Sequence, residues 1–318
     1  MAQASRSGQP RRFALRTISF FVTIGVCAAV NLETAVAGER AAATVRDKLW
    51  IFTAPAGGDN DALKQAHFPR LSRMTPAEGA FYLNVPNLLI VSFEGKPAAP
   101  FDQDAIPFRP LKQVVWCLNG PNGKILGPAE RQPLFDFAAR CPNLTGFLLD
   151  DFFNEIFPAN NPNHVSLDQL RELRRQLVIG GKRRDLYVVV YPHQLNLPIK
   201  PYFDLCDKIT YWTWNAKDLA RLEQDFGRLE KLVPDRPKLL GCYFWDFGGL
   251  RPMPLELMQK QCRLGLQWLQ AGRIDGIIFL ANTVADLDLP AVEWTRKWIA
   301  EVGGQAIVVK RSCGSPSR

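Results

Sequence analysis

The chain has 318 residues, of which 47% are hydrophobic and 22% are charged. This balance excludes a globally disordered protein and allows one large globular domain or two small ones. The formal net charge of +8 does not imply a nucleic-acid partner, because no stacking aromatics interleave the one basic group. That group lies on and just after one predicted helix and comprises Arg171, Arg174, Arg175, Lys182, Arg183 and Arg184.

The first 37 residues have the pattern of a secretory signal. Four arginines precede an apolar run from 17 to 30, and Ala35-Val36-Ala37 supplies small residues for cleavage. We expect an exported protein, periplasmic or extracellular, or a membrane-anchored one if this segment is not cleaved. Beyond it, 35 basic and 30 acidic residues remain, so part of the positive charge belongs to the signal. We expect no other contact with a membrane.

After a polar connector at 38–47, apolar runs alternate with amphipathic stretches as far as residue 302. The runs predict eight strands, at 48–53, 87–93, 113–118, 145–149, 186–191, 208–213, 239–244 and 275–280. Helices are predicted at 76–83, 128–140, 166–177, 201–206, 216–232, 255–270 and 289–302. This alternation predicts a single-domain α/β protein, a (β/α)8 TIM barrel over 48–302, with a tail at 303–318.

A doubly wound open sheet is the alternative architecture, although no Gly-x-Gly-x-x-Gly follows a strand and no dinucleotide cofactor is expected. Trp294 and Trp298, one helical turn apart, are predicted to pack against the barrel. The six cysteines after residue 37 lack metal-ligand spacing, and several lie in apolar runs. Buried free thiols are therefore favoured, with a single disulfide left open.

The fourth run, Thr145-Gly-Phe-Leu-Leu, stops at two adjacent carboxylates, Asp150 and Asp151. Consecutive side chains of a strand point to opposite faces, so both acids can meet one ligand only where the chain turns. Two carboxylates held close together cannot both ionise freely, which leaves a proton donor beside an anion. The structural alternative is a helix N-cap formed by either residue.

Other polar and aromatic residues are predicted at the carboxyl ends of the strands, where the active sites of TIM barrels lie. They are Glu94, Asn119, Glu155, Tyr191, His193, Trp212, Trp214, Asn215, Tyr243, Trp245, Asp246 and Asn282. Carboxylates and amides bind hydroxyl groups, and flat aromatic rings stack on the apolar faces of pyranose sugars. The combination therefore predicts a carbohydrate-binding site.

Five of these strand-end motifs follow the order found in retaining β-N-acetylglucosaminidases of the O-GlcNAcase type, which the chain resembles. The motifs are Leu148-Leu-Asp-Asp151, Tyr191-Pro-His-Gln194, Trp212-Thr-Trp214, Trp245-Asp246 and Gly276-Ile-Ile-Phe-Leu-Ala-Asn282. The resemblance implies that Asp150 orients a substrate acetamido group, whose oxygen is the nucleophile, and that Asp151 is the general acid/base. It also implies that the sugar pocket is lined by Trp212, Asn215 and Asn282.

The chain departs from the family pattern in three places. Trp214 stands where members have Gly, Phe247 stands where they have Asn, and their Glu-Gly-Phe-Tyr-Gly sequence on strand 1 is absent. These departures allow a different sugar specificity or a loss of activity.

The sequence thus predicts an exported glycoside hydrolase without a cofactor, in which Asp151 is the proton donor. The nucleophile is either a substrate acetamide held by Asp150 or, in an ordinary double displacement, Asp246. A non-catalytic carbohydrate-binding barrel is one alternative. A hydrolase that binds Mg²⁺ or Ca²⁺ through Asp150, Asp151 and Asp246 is another, although no metal site is assigned. The sugar, the linkage and the oligomeric state remain open.

Overall fold

The computed structural model describes residues 43–58, 60–93, 95–119, 124–153 and 164–307. Within them, eight parallel strands close a barrel in the order β1-β8-β7-β6-β5-β4-β3-β2, so the predicted TIM barrel is confirmed. The strands are β1 Leu49–Thr53, β2 Asn87–Ile90, β3 Gln113–Cys117, β4 Leu144–Leu149, β5 Asp185–Val190, β6 Lys208–Tyr211, β7 Lys238–Tyr243 and β8 Gly276–Leu280. The predicted signal segment, Glu94, Glu155 and Cys313 lie outside the described residues.

Helices alternate with these strands in the described part of the chain. They are α1 Asn60–Gln65, α2 Pro76–Leu83, α3 Pro128–Arg140, α4 Leu167–Gln176, α5 Lys200–Phe203, α6 Leu222–Leu232, α7 Leu255–Gln270, α8 Asn282–Ala285 and α9 Pro290–Val302. Short 3-10 helices lie at Arg46–Lys48, Ile106–Phe108, Pro192–Asn196 and Ala216–Arg221. Two-residue ribbons pair Val178–Ile179 with Lys182–Arg183, and Trp245–Asp246 with Arg251–Pro252. No helix in these described segments is long and apolar enough to cross a membrane.

The strands are largely apolar because both faces of the barrel sheet are covered, by the barrel interior and by helices. All residues of β1, β2 and β7 are buried. Helix α4 shows how the outer layer attaches: Ser166 caps its first turn, and Leu170 and Leu173 are buried. Trp298 is buried, stacks on Trp294 and contacts Phe279 of β8 edge-on, which confirms the predicted core packing of that pair.

Two predicted boundaries differ from the structure for identifiable reasons. The second strand was predicted to reach residue 93, but β2 ends at Ile90, and the apolar residues Val91 and Phe93 line a cavity instead. The helix predicted at 216–232 begins as the 3-10 helix Ala216–Arg221 and becomes α-helical only at Leu222. Apolar character alone therefore does not separate the last paired residue of a strand from the cavity wall that follows it.

All five cysteines in the described residues are free, as predicted. Cys117, Cys206, Cys242 and Cys262 are buried, and Cys141 is partly buried. Burial raises the pKa of the Cys206 thiol to about 12. These thiols therefore behave as small apolar side chains of the core.

Helix α2 packs closely against the barrel at Gly79, and this contact can be tested by mutation. A Cβ there would lie 2.7 Å from Asn282 Cβ and 2.9 Å from Ile51 Cδ1. We expect Gly79→Ala to lower the free energy of unfolding by about 1–3 kcal/mol through overpacking. The measurement is urea unfolding followed by tryptophan fluorescence.

Gly227 in α6 is the matched control, because a Cβ at that position would meet no atom within 4 Å. Gly227→Ala should raise the free energy of unfolding by about 0.5–1 kcal/mol, since alanine loses less backbone entropy in a helix. Equal unfolding midpoints for the two variants would contradict the close approach of α2.

Candidate active site

Strand β4 ends at Leu149, immediately before Asp150 and Asp151, which we term the acid pair. Asp151 has φ of +46°, in the left-handed region, so the chain turns sharply there. Both acids line one cavity at the carboxyl ends of the barrel strands. The expectation that the strand stops at the acids is confirmed, and the turn explains how neighbouring side chains face the same space.

Asn119 ties the end of β3 to the acid pair. Its Oδ1 accepts a hydrogen bond from the Asp150 backbone N at 2.9 Å, and its side chain is almost fully buried. Asn119 does not line the cavity. Asn119 thus positions the backbone from which the acids project, and its substrate-binding role stays a prediction.

Two tyrosines support Asp151. The Tyr191 hydroxyl donates to Asp151 Oδ1 at 2.8 Å, and the Tyr243 hydroxyl lies 3.4 Å from that of Tyr191. Burial raises the pKa of both phenols well above their ordinary value, and the nearby carboxylates add to the shift. Both phenols therefore keep their protons and remain hydrogen-bond donors. A donated hydrogen bond favours the ionised form of Asp151.

Asp150 differs electrostatically from its neighbour. Burial, followed by the negative charge of Asp151, raises the pKa of Asp150 well above the ordinary value of an aspartate. Asp150 thus keeps its proton to a higher pH than a solvated carboxyl group. The acid pair combines a proton holder, Asp150, with a carboxylate supported by Tyr191.

The cavity in front of the acid pair, here the first cavity, has a volume of about 380 Å³. Among the described residues that line it, Asp150 and Asp151 are the charged ones, and most of the others are aromatic or aliphatic. The larger apolar lining residues are Phe52, Val91, Phe93, Val189, Tyr191, Trp212, Trp214, Tyr243, Phe247, Leu250 and Leu280. An apolar space with two convergent carboxyls has the character of a small-ligand site.

Trp212 forms a buried wall of the first cavity. Its Nε1 donates to Thr210 Oγ1 at 2.9 Å, and its rings contact Phe52 and Tyr243 at 5.6 and 5.0 Å. A Cβ at Gly241 would lie 2.1 Å from the Trp212 ring, so the neighbouring strand needs glycine there. Trp212 and Tyr243 both lie where the sequence placed them, at the cavity wall.

Trp214 forms a second, half-exposed wall with Phe247. Its side chain is 44% exposed, and its ring stacks on Phe247 with centroids 5.0 Å apart and planes at 27°. These two residues are both departures from the O-GlcNAcase pattern. Because they contact each other, the departures amount to one altered wall of the first cavity.

Three residues predicted for the site are buried elsewhere. Trp245 does not line the first cavity and stacks on Phe68 with centroids 4.2 Å apart. Asn282 is fully buried: its Oδ1 accepts from Ala54 N at 2.9 Å, and its Nδ2 donates to the carbonyls of Ala54 and Met74. Through these contacts the side chains of Trp245 and Asn282 fix loops near the cavity, and their substrate-binding roles stay predictions.

Asp246 is also turned away from the first cavity. Its Oδ1 accepts from the backbone N of Ala216 at 2.9 Å and of Gly249 at 3.0 Å, and its Oδ2 accepts from Arg251 Nε at 3.3 Å. The side chain is 3% exposed. Asp246 thus joins the loops that follow β6 and β7, and the nucleophilic role considered for it stays a prediction.

His193 and Asn215 lie outside the first cavity, in an adjoining second cavity. His193 is exposed, and its ring stacks on Tyr191 with centroids 5.8 Å apart. Asn215 packs against Gly248, where a Cβ would lie 1.7 Å from its Oδ1. Glu94 and Glu155, which the sequence placed on the same rim, are outside the described residues.

The sequence missed several lining residues, including Phe52, Gln65, Val189, Leu280 and Thr283. The aliphatic and aromatic ones occur at the ends of apolar strands, where cavity wall and barrel core have the same sequence pattern. Gln65 is the last residue of α1, a short helix after β1 for which no motif was available. Among the described residues, no group of three or more His, Cys, Asp or Glu side chains could hold a metal ion.

No protein-family model matches the chain, and no curated protein sequence matches it. Among solved structures, it is similar to the glycoside hydrolase domain of PgaB (BpsB) from Bordetella bronchiseptica, with 12% identity, 78% of this chain and 98% of that chain covered, and a TM-score of 0.46. It is also similar to the GH18 chitinase ChiB of Flavobacterium johnsoniae, with 11% identity, coverages of 80% and 94%, and a TM-score of 0.48. A further similar structure is the aldolase QR15, with 10% identity, coverages of 80% and 98%, and a TM-score of 0.46. Several of its structural neighbours are thus TIM-barrel glycoside hydrolases, and likenesses this distant say nothing about substrate or reaction.

Proposed function

We propose that the chain is a glycoside hydrolase that acts after export and uses the acid pair for catalysis. The observation that carries this proposal is the geometry of Asp150 and Asp151, which meet in an aromatic-lined cavity as a proton holder and a supported carboxylate. Glycosidic bond cleavage needs this combination, because the leaving oxygen must be protonated while positive charge develops on the sugar ring.

We assign proton donation to Asp150 and the ionised role to Asp151, the reverse of the roles implied by the O-GlcNAcase resemblance. The raised pKa of Asp150 and the hydrogen bond from Tyr191 to Asp151 support this exchange. The Asp150 proton passes to the leaving glycosidic oxygen as the bond from that oxygen to the anomeric carbon breaks. As that bond breaks, the nucleophile, oriented by Asp151, bonds to the anomeric carbon, and Asp151 offsets the positive charge that develops on the ring. In the second half of the reaction, a water molecule gives a proton back to Asp150 and its oxygen replaces the nucleophile at the anomeric carbon, which completes the hydrolysis.

The substrate itself is proposed to supply the nucleophile, through the oxygen of an acetamido group. Asp150 and Asp151 project from one turn, so they approach the sugar from one side. Among the described residues lining the first cavity, no third carboxylate is present to attack from the other side. Asp246, the candidate for that role, is held by the backbone of two loops. A sugar with a 2-acetamido group is therefore the favoured substrate.

The two alternatives have less support. A metal-dependent hydrolase would need Asp246 beside the acid pair, and Asp246 does not line the first cavity. A non-catalytic carbohydrate-binding barrel has no need to hold two adjacent, partly buried carboxyls in an apolar cavity, since desolvation and mutual repulsion of the two groups cost free energy.

The proposed roles predict different responses to leaving-group chemistry. Asp150→Asn should lower kcat by about 10²–10⁴-fold on a glycoside with a poor leaving group and far less on a dinitrophenyl glycoside, whose leaving oxygen needs no proton. Asp151→Asn should slow both substrates. The measurement is initial-rate kinetics with alkyl and aryl N-acetyl-β-glucosaminides, and with glucosides and mannosides for comparison.

Asp102→Asn serves as the control, because Asp102 is an exposed partner of Arg140 and does not line the cavity. Turnover by Asp150→Asn equal to wild type on the poor leaving group would remove Asp150 as the acid. If Asp151→Asn, and not Asp150→Asn, loses activity only on the poor leaving group, Asp151 is the proton donor, as the O-GlcNAcase resemblance implies.

The hydrogen bond from Tyr191 predicts a change in pH dependence. Tyr191→Phe removes a donor from the Asp151 carboxylate, so the ionised form is less favoured and the acidic limb of the kcat/KM profile should move to higher pH. Tyr202→Phe is the matched control: its hydroxyl donates to Val165 O, and Tyr202 does not line the cavity. An acidic limb unchanged in Tyr191→Phe would show that this bond does not tune the pair.

A further inference from the structure

A second cavity of about 300 Å³ adjoins the first and shares Tyr191 and Trp214 with it. It lies at the same carboxyl-end rim, beside the loops that follow β5 and β6. None of its residues has a role in the chemistry proposed above, apart from Tyr191. A ligand that extends past Trp214 from the acid pair would enter this space.

The second cavity differs from the first in the chemistry of its walls. It is lined mostly by polar and charged side chains, whereas the first is mostly apolar. Arg221 lies 3.3 Å from Asp218 Oδ1 and 3.7 Å from Asp225 Oδ2, and Arg228 lies 3.2 Å from Asp225 Oδ1. Arg228 also donates to Asn196 Oδ1 at 2.8 Å.

Two guanidinium groups and two carboxylates thus face each other around this cavity, and their charges balance. A wall with balanced charge offers donors and acceptors without a net field to attract an anion. It therefore suits a neutral ligand with many hydroxyl groups better than a carboxylated or phosphorylated one.

Trp214 provides a rigid surface between the two cavities. Its 44% exposed side chain is fixed by stacking on Phe247 and by edge contacts to Tyr191 and Tyr243 at 6.3 and 6.0 Å. Because the ring is already immobilised, a sugar that packs on it loses little additional side-chain entropy from the protein. Asp246 maintains this arrangement, since it joins Ala216 to the turn that carries Phe247.

We propose that the second cavity binds a further sugar unit of a neutral oligosaccharide whose reacting unit occupies the first cavity at the acid pair. The inference rests on the proposed function and deepens it: the substrate is an oligosaccharide, and affinity depends on chain length. Trp214 contacts the oligosaccharide between its two bound sugar units. The polar side chains around Arg221 bind the hydroxyl groups of the further unit.

Calorimetric binding tests this inference with the full chain carrying Asp150→Asn, so that binding is measured without turnover. The probes are β-1,4-linked tetrasaccharides of N-acetylglucosamine, glucose and mannose, together with the matching monosaccharides. We expect at least one tetrasaccharide to bind about tenfold or more tightly than its monosaccharide. Arg221→Gln should weaken tetrasaccharide binding by about tenfold, the cost of one hydrogen bond to a charged group, and leave monosaccharide binding unchanged.

Arg171→Gln is the matched control, because Arg171 forms the same three-residue-spaced pair with an aspartate, Asp168, on helix α4 and lines neither cavity. Asp218→Asn gives a second test of the cavity wall, should Arg221→Gln fold poorly. Three results would overturn the inference: no binding of any tetrasaccharide, equal affinity for tetrasaccharide and monosaccharide, or equal effects of Arg221→Gln and Arg171→Gln.

Wild-type turnover, assayed in parallel, distinguishes a failure of this inference from a failure of the proposed function. If no glycoside is hydrolysed but tetrasaccharides bind with the expected dependence on Arg221, the second-cavity inference stands and the hydrolase proposal fails. Hydrolysis of monosaccharide aryl glycosides without any preference for longer chains would leave the hydrolase proposal intact and overturn the inference.

Discussion

The site depends on one electrostatic constraint, the placement of two adjacent carboxyl groups in a largely apolar cavity. Bringing two such charges together without compensation would be costly, so one group retains a proton and the other needs a donor. The left-handed turn at Asp151 brings both side chains to the cavity, Asn119 fixes the backbone before that turn, and Tyr191 supplies the donor. The difference in protonation between Asp150 and Asp151 follows from these neighbours, because the two side chains are chemically identical.

The loops around the first cavity are held together by residues that do not themselves line that cavity. Asp246 accepts hydrogen bonds from two loops, and Asn282 joins the loop after β1 to the stretch before α2. Both are strand-end polar residues of the kind that catalytic sites use. Here both satisfy buried backbone groups, which would otherwise cost free energy, and Asp246 also fixes the turn that carries Phe247.

The sequence allowed the barrel and the acid pair to be predicted, because both depend on local patterns. Eight apolar runs separated by amphipathic stretches favour a closed parallel sheet over the open, doubly wound alternative, and an apolar run that stops at Asp150 marks a strand end. Side-chain direction beyond the strand end was not predictable. Trp245, Asp246 and Asn282 follow strands just as Trp212 does, but loop contacts from distant segments turn the first three away from the cavity. The second cavity was missed as a unit because its residues come from separate loops and helices.

The proposed chemistry depends on which carboxyl of the acid pair holds a proton, and a carboxyl titration measures this directly. Carbon-13 NMR of the protein labelled at aspartate Cγ, with Asp150→Asn and Asp151→Asn for assignment, would follow the two groups from about pH 3 to pH 8. We expect a carboxyl resonance that titrates well above the ordinary range of about pH 4 and is absent from Asp150→Asn. Titration of both acids at or below that ordinary range would contradict it, since neither group would then hold the proton that glycosidic cleavage requires.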